Sequence, residues 1–204
     1  MDWISLEKQL KKELSEDRYR HTLAVMYTAI NMAYFHGADP YKARLAGLLH
    51  DCAKCISNKK KIQMCDKAGL DITEFEREHP VLLHAKLGAY LARKEYEVED
   101  DKVLSAIRWH TTGKANMSLL DKIVFAADYL EPNRDKAPNL EKIRQLAYRD
   151  LDLCVYEILK DTIAYLSKNP KSMDTTTLNA FAYYEELAKQ KTETADRQTN
   201  PSGD

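Results

Sequence analysis

"ADPYKARLAGLLHDCAK", residues 38–54, opens with the signature of a helix start and closes on two groups that water holds well. Asp39 is suited to cap a helix, and Pro40 to take its first position, where a missing N–H costs nothing. The apolar residues that follow carry the chain to His50 and Asp51, just behind Leu48 and Leu49. A helix that buries an imidazole and a carboxylate at its end needs partners for both, because an unpaired charge away from water is costly.

The same pattern repeats outward from this stretch. Upstream, "HTLAVMYTAINMAYFHGA" (21–38) is an uncharged run that predicts a second long helix, capped by Asp17 and stopped by Gly37. His21, Thr22, Thr28, Asn31 and His36 make it a buried helix rather than a membrane span. Leu6, Leu10 and Leu14 mark a short amphipathic first helix. Downstream, "SNKKKIQMCDKAG" reads as a solvated helix ended by Gly69, and Pro80 opens "PVLLHAKLGAYLARKEY". "DDKVLSAIRWH", "LLDKIVFAADYL" and segments near 139–148 and 150–168 complete the helical set. Leu and Ala together number 46 against 16 for Val and Ile, and Gly and Pro six each, so the composition itself favours an all-α bundle. We read one domain over residues 1–190, followed by a polar tail, 191–204, whose lack of apolar periodicity predicts disorder.

A net charge of −1 with 31% charged residues of both signs leaves no basic face for nucleic acid. The charged N-terminal segment is no signal peptide, and four cysteines, three of them within 52–65, do not make a disulfide scaffold. The chain is therefore expected in the cytoplasm, away from membranes. Cys52-x2-Cys55 has no second pair to complete a zinc site and no βαβ pattern around it.

Four histidines, His21, His50, His84 and His110, fall inside apolar helical patterns, whereas His36 abuts Gly37 and His79 precedes Pro80, as structural residues would. One buried histidine alone is usually a hydrogen-bonded core residue. Four of them, with Asp51 and with Asp128 embedded in "VFAADYL", point instead to a metal centre, since neutral imidazole and carboxylate both ligate Mn, Fe, Zn or Co. Six ligands exceed one tetrahedral site and suit two ions bridged by a carboxylate. Their spacing requires separate helices to converge on one cleft.

"RYRHT" (18–22), "AGLLHDCAK" (46–54), "LLHAKLGAYL" (82–91), "AIRWHTTG" (106–113) and "ADYLEPNR" (127–134) together resemble the YqeK branch of the HD-domain metal-dependent phosphohydrolases, the symmetrical bis(5′-nucleosyl)-tetraphosphatases. The resemblance covers about residues 15–185. It implies a single HD-domain helical bundle with a dinuclear metal cleft, in which His21, His50, Asp51, His84, His110 and Asp128 hold two ions of the di-iron type. It implies a dinucleoside polyphosphate substrate and symmetric hydrolysis of diadenosine tetraphosphate, with Asp51 and Lys54 as catalytic residues. Arg18, Lys54 and Arg134 match positions facing the phosphates, Thr111 and Thr112 orient His110 or reach a phosphate oxygen, and the segment from Met173 to Thr177 covers a base. The sequence departs from the family in keeping Thr177 but placing Ala182 where an Asn is usual. A homodimer stays open. So do two other readings: a different HD-superfamily nucleotide phosphatase or phosphodiesterase, and a non-enzymatic nucleotide-binding protein.

Overall fold

The computed structural model describes residues 2–168 and 173–199, with side chains as far as 194. Among them there is no strand, and the helices run α1 (Trp3–Glu13), α2 (Glu16–His36), α3 (Pro40–Leu49), α4 (Asn58–Lys67), α5 (Glu74–Glu78), α6 (Leu83–Lys94), α7 (Asp101–Trp109), α8 (Leu119–Leu130), α9 (Leu140–Leu146), α10 (Leu151–Leu166) and α11 (Thr175–Thr199). Among the described residues no helix is long and apolar enough to cross a membrane.

Local chemistry sets most of the boundaries. Asp39 accepts from the amides of Tyr41 and Lys42 and begins α3 with Pro40 in its first turn. Gly37, at φ +69°, ends α2 in the left-handed conformation that costs a side chain most. The cap of α2 is Ser15, which accepts from the Arg18 amide at 3.3 Å, and Asp17 sits in the first turn instead. Pro80 does not open α6. Residues 80–82 form a turn, with the Leu82 amide bonded to His79 O and that of Leu83 to Pro80 O, and the helix starts at Leu83.

α8 is the centre of the bundle. It is apolar on nearly every face, with Leu120, Ile123, Val124, Phe125, Ala126, Ala127 and Leu130 buried, and it packs against α2, α3, α7 and α10. A helix apolar all round is stable only when surrounded in this way. α2 and α3 form the tightest pair, because Gly47 lets the two backbones meet: a Cβ there would lie 2.8 Å from Met26 Cα.

α11 runs from Thr175 to Thr199 and takes in the first part of the polar tail. Lys191 Nζ reaches Asp150 Oδ1 at 2.6 Å and Oδ2 at 2.8 Å, and the hydroxyls of Thr192 and Thr194 donate back to Ala188 O and Gln190 O. The Lys191 contacts tie this polar segment to the start of α10. Residues 200–204 lie outside the described set.

Candidate metal centre and cleft

Each of the six ligand candidates is delivered by a helix or by the turn that ends one. Arg18 and His21 lie in the first turns of α2; His50 and Asp51 stand where α3 ends; His84 opens α6; His110 ends α7; Asp128 comes from the last turn of α8. His50, Asp51, His84 and His110 are buried to 2% exposure or less.

The ring orientation follows from backbone chemistry. His50 Nδ1 lies 2.6 Å from Gly47 O, His84 Nδ1 2.5 Å from Val81 O, and His110 Nδ1 2.7 Å from Ile107 O. A carbonyl only accepts, so in each ring the proton is on Nδ1 and Nε2 keeps a free lone pair. All three Nε2 atoms turn to Asp51. Its Oδ1 lies 3.2 Å from His84 Nε2 and 3.5 Å from His110 Nε2; its Oδ2 lies 3.5 Å from His50 Nε2 and 3.9 Å from His21 Nε2. Asp128 Oδ1 is 3.1 Å from His21 Nε2.

The six residues form three overlapping groups whose ligand atoms lie within 4.8 Å of one another: His21, His50 and Asp51; His50, His110 and Asp128; Asp51, His84 and His110. His50 Nε2 and Asp51 Oδ1 are buried without a hydrogen-bond partner. Orphaned acceptors of this kind, gathered in one cluster, fit divalent metal and are otherwise a large cost. Burial pushes His84 down to about 4, against the pull of Asp51, so that ring is neutral at physiological pH. Burial also opposes the charge on Asp51, yet its carboxyl is held well below the usual carboxylate range.

Cations ring this centre. Arg18 Nη1 donates to Asp51 Oδ2 at 2.7 Å, Lys54 Nζ stands 3.0 Å from His84 Nε2 and 3.6 Å from Asp51 Oδ1, and Arg134 Nη2 is 3.6 Å from Asp128 Oδ1. Lys54 is not on the helix of His50, because α3 ends at Leu49; a turn closed by the Lys54 amide on Asp51 O brings it round. The centre opens into a cavity of 620 Å³ whose metal end carries Lys54, His110, Thr111 and Asp128, and whose far wall is Phe125 and Tyr129 of α8 with Ile158, Asp161 and Tyr165 of α10.

Three expected nucleotide contacts are placed elsewhere. Thr112 donates to Gly113 O and lines a separate 180 Å³ pocket; it is Thr111 whose hydroxyl faces the centre, 3.1 Å from His84 Nε2 and 3.0 Å from His110 Nε2. Thr177 turns both its amide and its hydroxyl to Asp174 Oδ2, at 3.1 and 3.4 Å, as part of the α11 N-terminus. Met173 precedes that helix and does not line the large cavity. The reason is that α11 packs on α10 and on the 113–117 loop, where Tyr184 OH accepts from the Met117 amide at 3.1 Å. His36 and His79 are structural, bonded to Ala147 O at 2.7 Å and Phe75 O at 3.0 Å.

Two features escaped the sequence reading. Glu131 is buried and lies 3.3 Å from His21 Nδ1; its signal was its place three residues after Asp128, nearly one helical turn on. The α10 wall gave no signal, because Ile158, Asp161 and Tyr165 look like the edge of any amphipathic helix. Cys52 is buried beside Gly88 O, Cys55 is exposed, and neither is bonded to another cysteine.

The family described as HD domain matches residues 18–133. The chain is 44% identical over 172 residues to a symmetrical bis(5′-nucleosyl)-tetraphosphatase of Halalkalibacterium halodurans, covering 84% of this chain and 91% of that one. It is 37% identical over 186 residues to the protein of that description from Staphylococcus aureus, covering 89% and 94%. A solved structure from Clostridium acetobutylicum, described as a "predicted HD superfamily hydrolase involved in NAD metabolism", matches with a TM-score of 0.88 at 35% identity, over 92% of this chain and 98% of that one.

Proposed function

The chain belongs to the HD-domain family, in the branch of the symmetrical bis(5′-nucleosyl)-tetraphosphatases, and on that footing we propose that it hydrolyses diadenosine tetraphosphate to two ADP. The observation that carries the reading is the division of Asp51, whose two oxygens face two different sets of imidazole nitrogens behind His110 and Lys54, which line a nucleotide-sized cavity.

In this reading His21, His50, Asp51 and Asp128 would hold one ion, and Asp51, His84 and His110 the other, with iron as the first candidate and Mn, Co or Zn as alternatives. Bound there, the ions supply Lewis-acid activation of water and phosphoryl oxygen near neutral pH. The chain's own residues do the rest. Lys54, Arg18 and Arg134 flank the ligand set and stabilise the negative charge that grows on the phosphate chain as the bridging bond breaks. Thr111, between His84 and His110, offers a hydroxyl to a phosphate oxygen. The wall of Tyr129, Ile158 and Tyr165 takes the nucleoside of the half that enters, which places one nucleoside diphosphate inside and leaves the other half as the leaving group.

Chromatography of early products from diadenosine tetraphosphate, with added Fe, Mn or Co, tests this directly. ADP alone is expected. AMP and ATP in equal amounts would place the cut one phosphate away and overturn the assignment of the cavity to a nucleoside diphosphate, and absence of turnover with every metal would leave a binding protein.

A further inference from the structure

Three of the four inward-facing histidines are held by a carbonyl three residues before them, and the fourth is not. His21 sits inside α2, and its Nδ1 turns to a carboxylate from the far end of the fold, Glu131 Oε1 at 3.3 Å. Glu131 is 4% exposed. Its second oxygen accepts from the Asn133 amide at 2.7 Å, and the turn that carries it is clamped by Arg144, whose guanidinium reaches the carbonyls of Leu130, Glu131 and Arg134 at 3.2, 3.2 and 3.0 Å. The nearby Arg134 is paired with Asp128 instead, Nη2 to Oδ1 at 3.6 Å. A carboxylate buried this deeply needs firm partners, and the side-chain partner it has is the ring of one metal-ligand candidate.

We infer that Glu131 is the positioning residue of the His21 ligand and that it makes the two metal positions unequal. A carboxylate on Nδ1–H fixes the tautomer, points Nε2 inward and raises the basicity of the imidazole more than a neutral carbonyl does. His84 and His110 have only carbonyls behind them. The ion on the His21 side is therefore the one whose affinity depends on Glu131, and the ion held by Asp51, His84 and His110 does not depend on it. Glu131 acts through His21 and not on the substrate. The inference rests on the two-ion reading proposed above.

The test is binding of Mn(II) to the chelator-stripped full chain, with free Mn(II) counted from its electron paramagnetic resonance signal. Wild type is expected to bind two ions. Glu131→Ala should keep one at wild-type affinity and weaken the other about 10- to 100-fold, the usual cost of losing such an outer partner. Glu131→Gln keeps an oxygen for Nδ1–H without the charge and should fall between the two; it also decides the matter if the alanine variant does not fold. Two ions at wild-type affinity in the folded variants would reduce Glu131 to a brace for its turn and overturn the inference. Fewer than two ions in wild type is a different result, one that overturns the two-ion reading itself and this inference with it.

Discussion

Lys54 Nζ, in the turn after α3, lies 3.0 Å from Nε2 of His84, a residue 30 positions away on α6. Because Nδ1 of that ring already donates to Val81 O, the ammonium meets a lone pair, and the same nitrogen is the one turned to Asp51. Lys54 thus stands on the metal face of the ligand set while being no ligand itself. Lys54→Ala should leave metal content unchanged and lower kcat/KM on diadenosine tetraphosphate about 10- to 100-fold, the range of a lost charge-assisted contact. Metal lost in step with activity would instead make Lys54 a support of the ligand set.

A second expectation concerns Gly47, whose carbonyl holds His50 Nδ1 at 2.6 Å. A Cβ at this position would lie 2.8 Å from Met26 Cα and 3.3 Å from Met26 N, atoms of a helix backbone that cannot swing aside as a side chain does. Gly47→Ala must part α2 from α3, at about 1–3 kcal/mol, and it moves the carbonyl that aims His50. Thermal unfolding several degrees lower, together with reduced metal content, is the predicted pair of effects. A variant that melts and binds metal like wild type would show that the two helices are free to separate there.

The cluster of imidazoles and carboxylates was legible in the sequence because each member interrupts an apolar helical run, and burying an imidazole or carboxylate is expensive enough to demand a reason. The bundle was legible for a related reason, the wealth of Leu and Ala in helical spacing with Asp39, Pro40 and Gly37 as punctuation. The rest turned on matters that spacing does not encode. Thr111 and Thr112 are neighbours, and which hydroxyl faces inward is set by the turn after His110. Ser15 and Asp17 are both good caps, and the hydrogen bond to Arg18 selects the serine. Glu131 lies just past the end of α8, where an acidic residue looks solvated until the fold closes over it. α5 is five residues long, too short to show a period.

The cysteines give a third prediction. Cys55 is exposed, whereas Cys52, Cys65 and Cys154 are buried. Burial pushes all three buried thiols up, Cys154 to about 12. The thiolate is the reacting form, so a raised value means less reaction at any working pH. A disulfide reagent should modify one thiol quickly in the native protein and four in denaturant. Raising the pH from 7 to 9 should leave the native count at one, because the Cys154 thiolate forms only near 12. Rapid modification of a second thiol would mean that the core around Cys52 or Cys65 opens readily.

Removing metal should weaken the fold as well as the reaction. His50 Nε2 and Asp51 Oδ1 are buried without partners, and four imidazoles converge on Asp51 and Asp128 from α2, α6 and the ends of α3 and α7. An ion that binds only the folded chain stabilises it by about 2.7 kcal/mol when present at one hundred times its dissociation constant. For a domain of this size that corresponds to roughly 5–10 °C in Tm. A chelated sample should therefore melt several degrees below one with Mn(II), and adding the ion back should restore the difference. Asp51→Asn removes the charge that both groups of imidazoles share, so its Tm should no longer respond to Mn(II), while its melting without metal stays close to that of the chelated wild type or rises. A wild-type Tm that is the same with chelator and with excess Mn(II) would mean that the converging imidazoles and carboxylates satisfy one another without an ion.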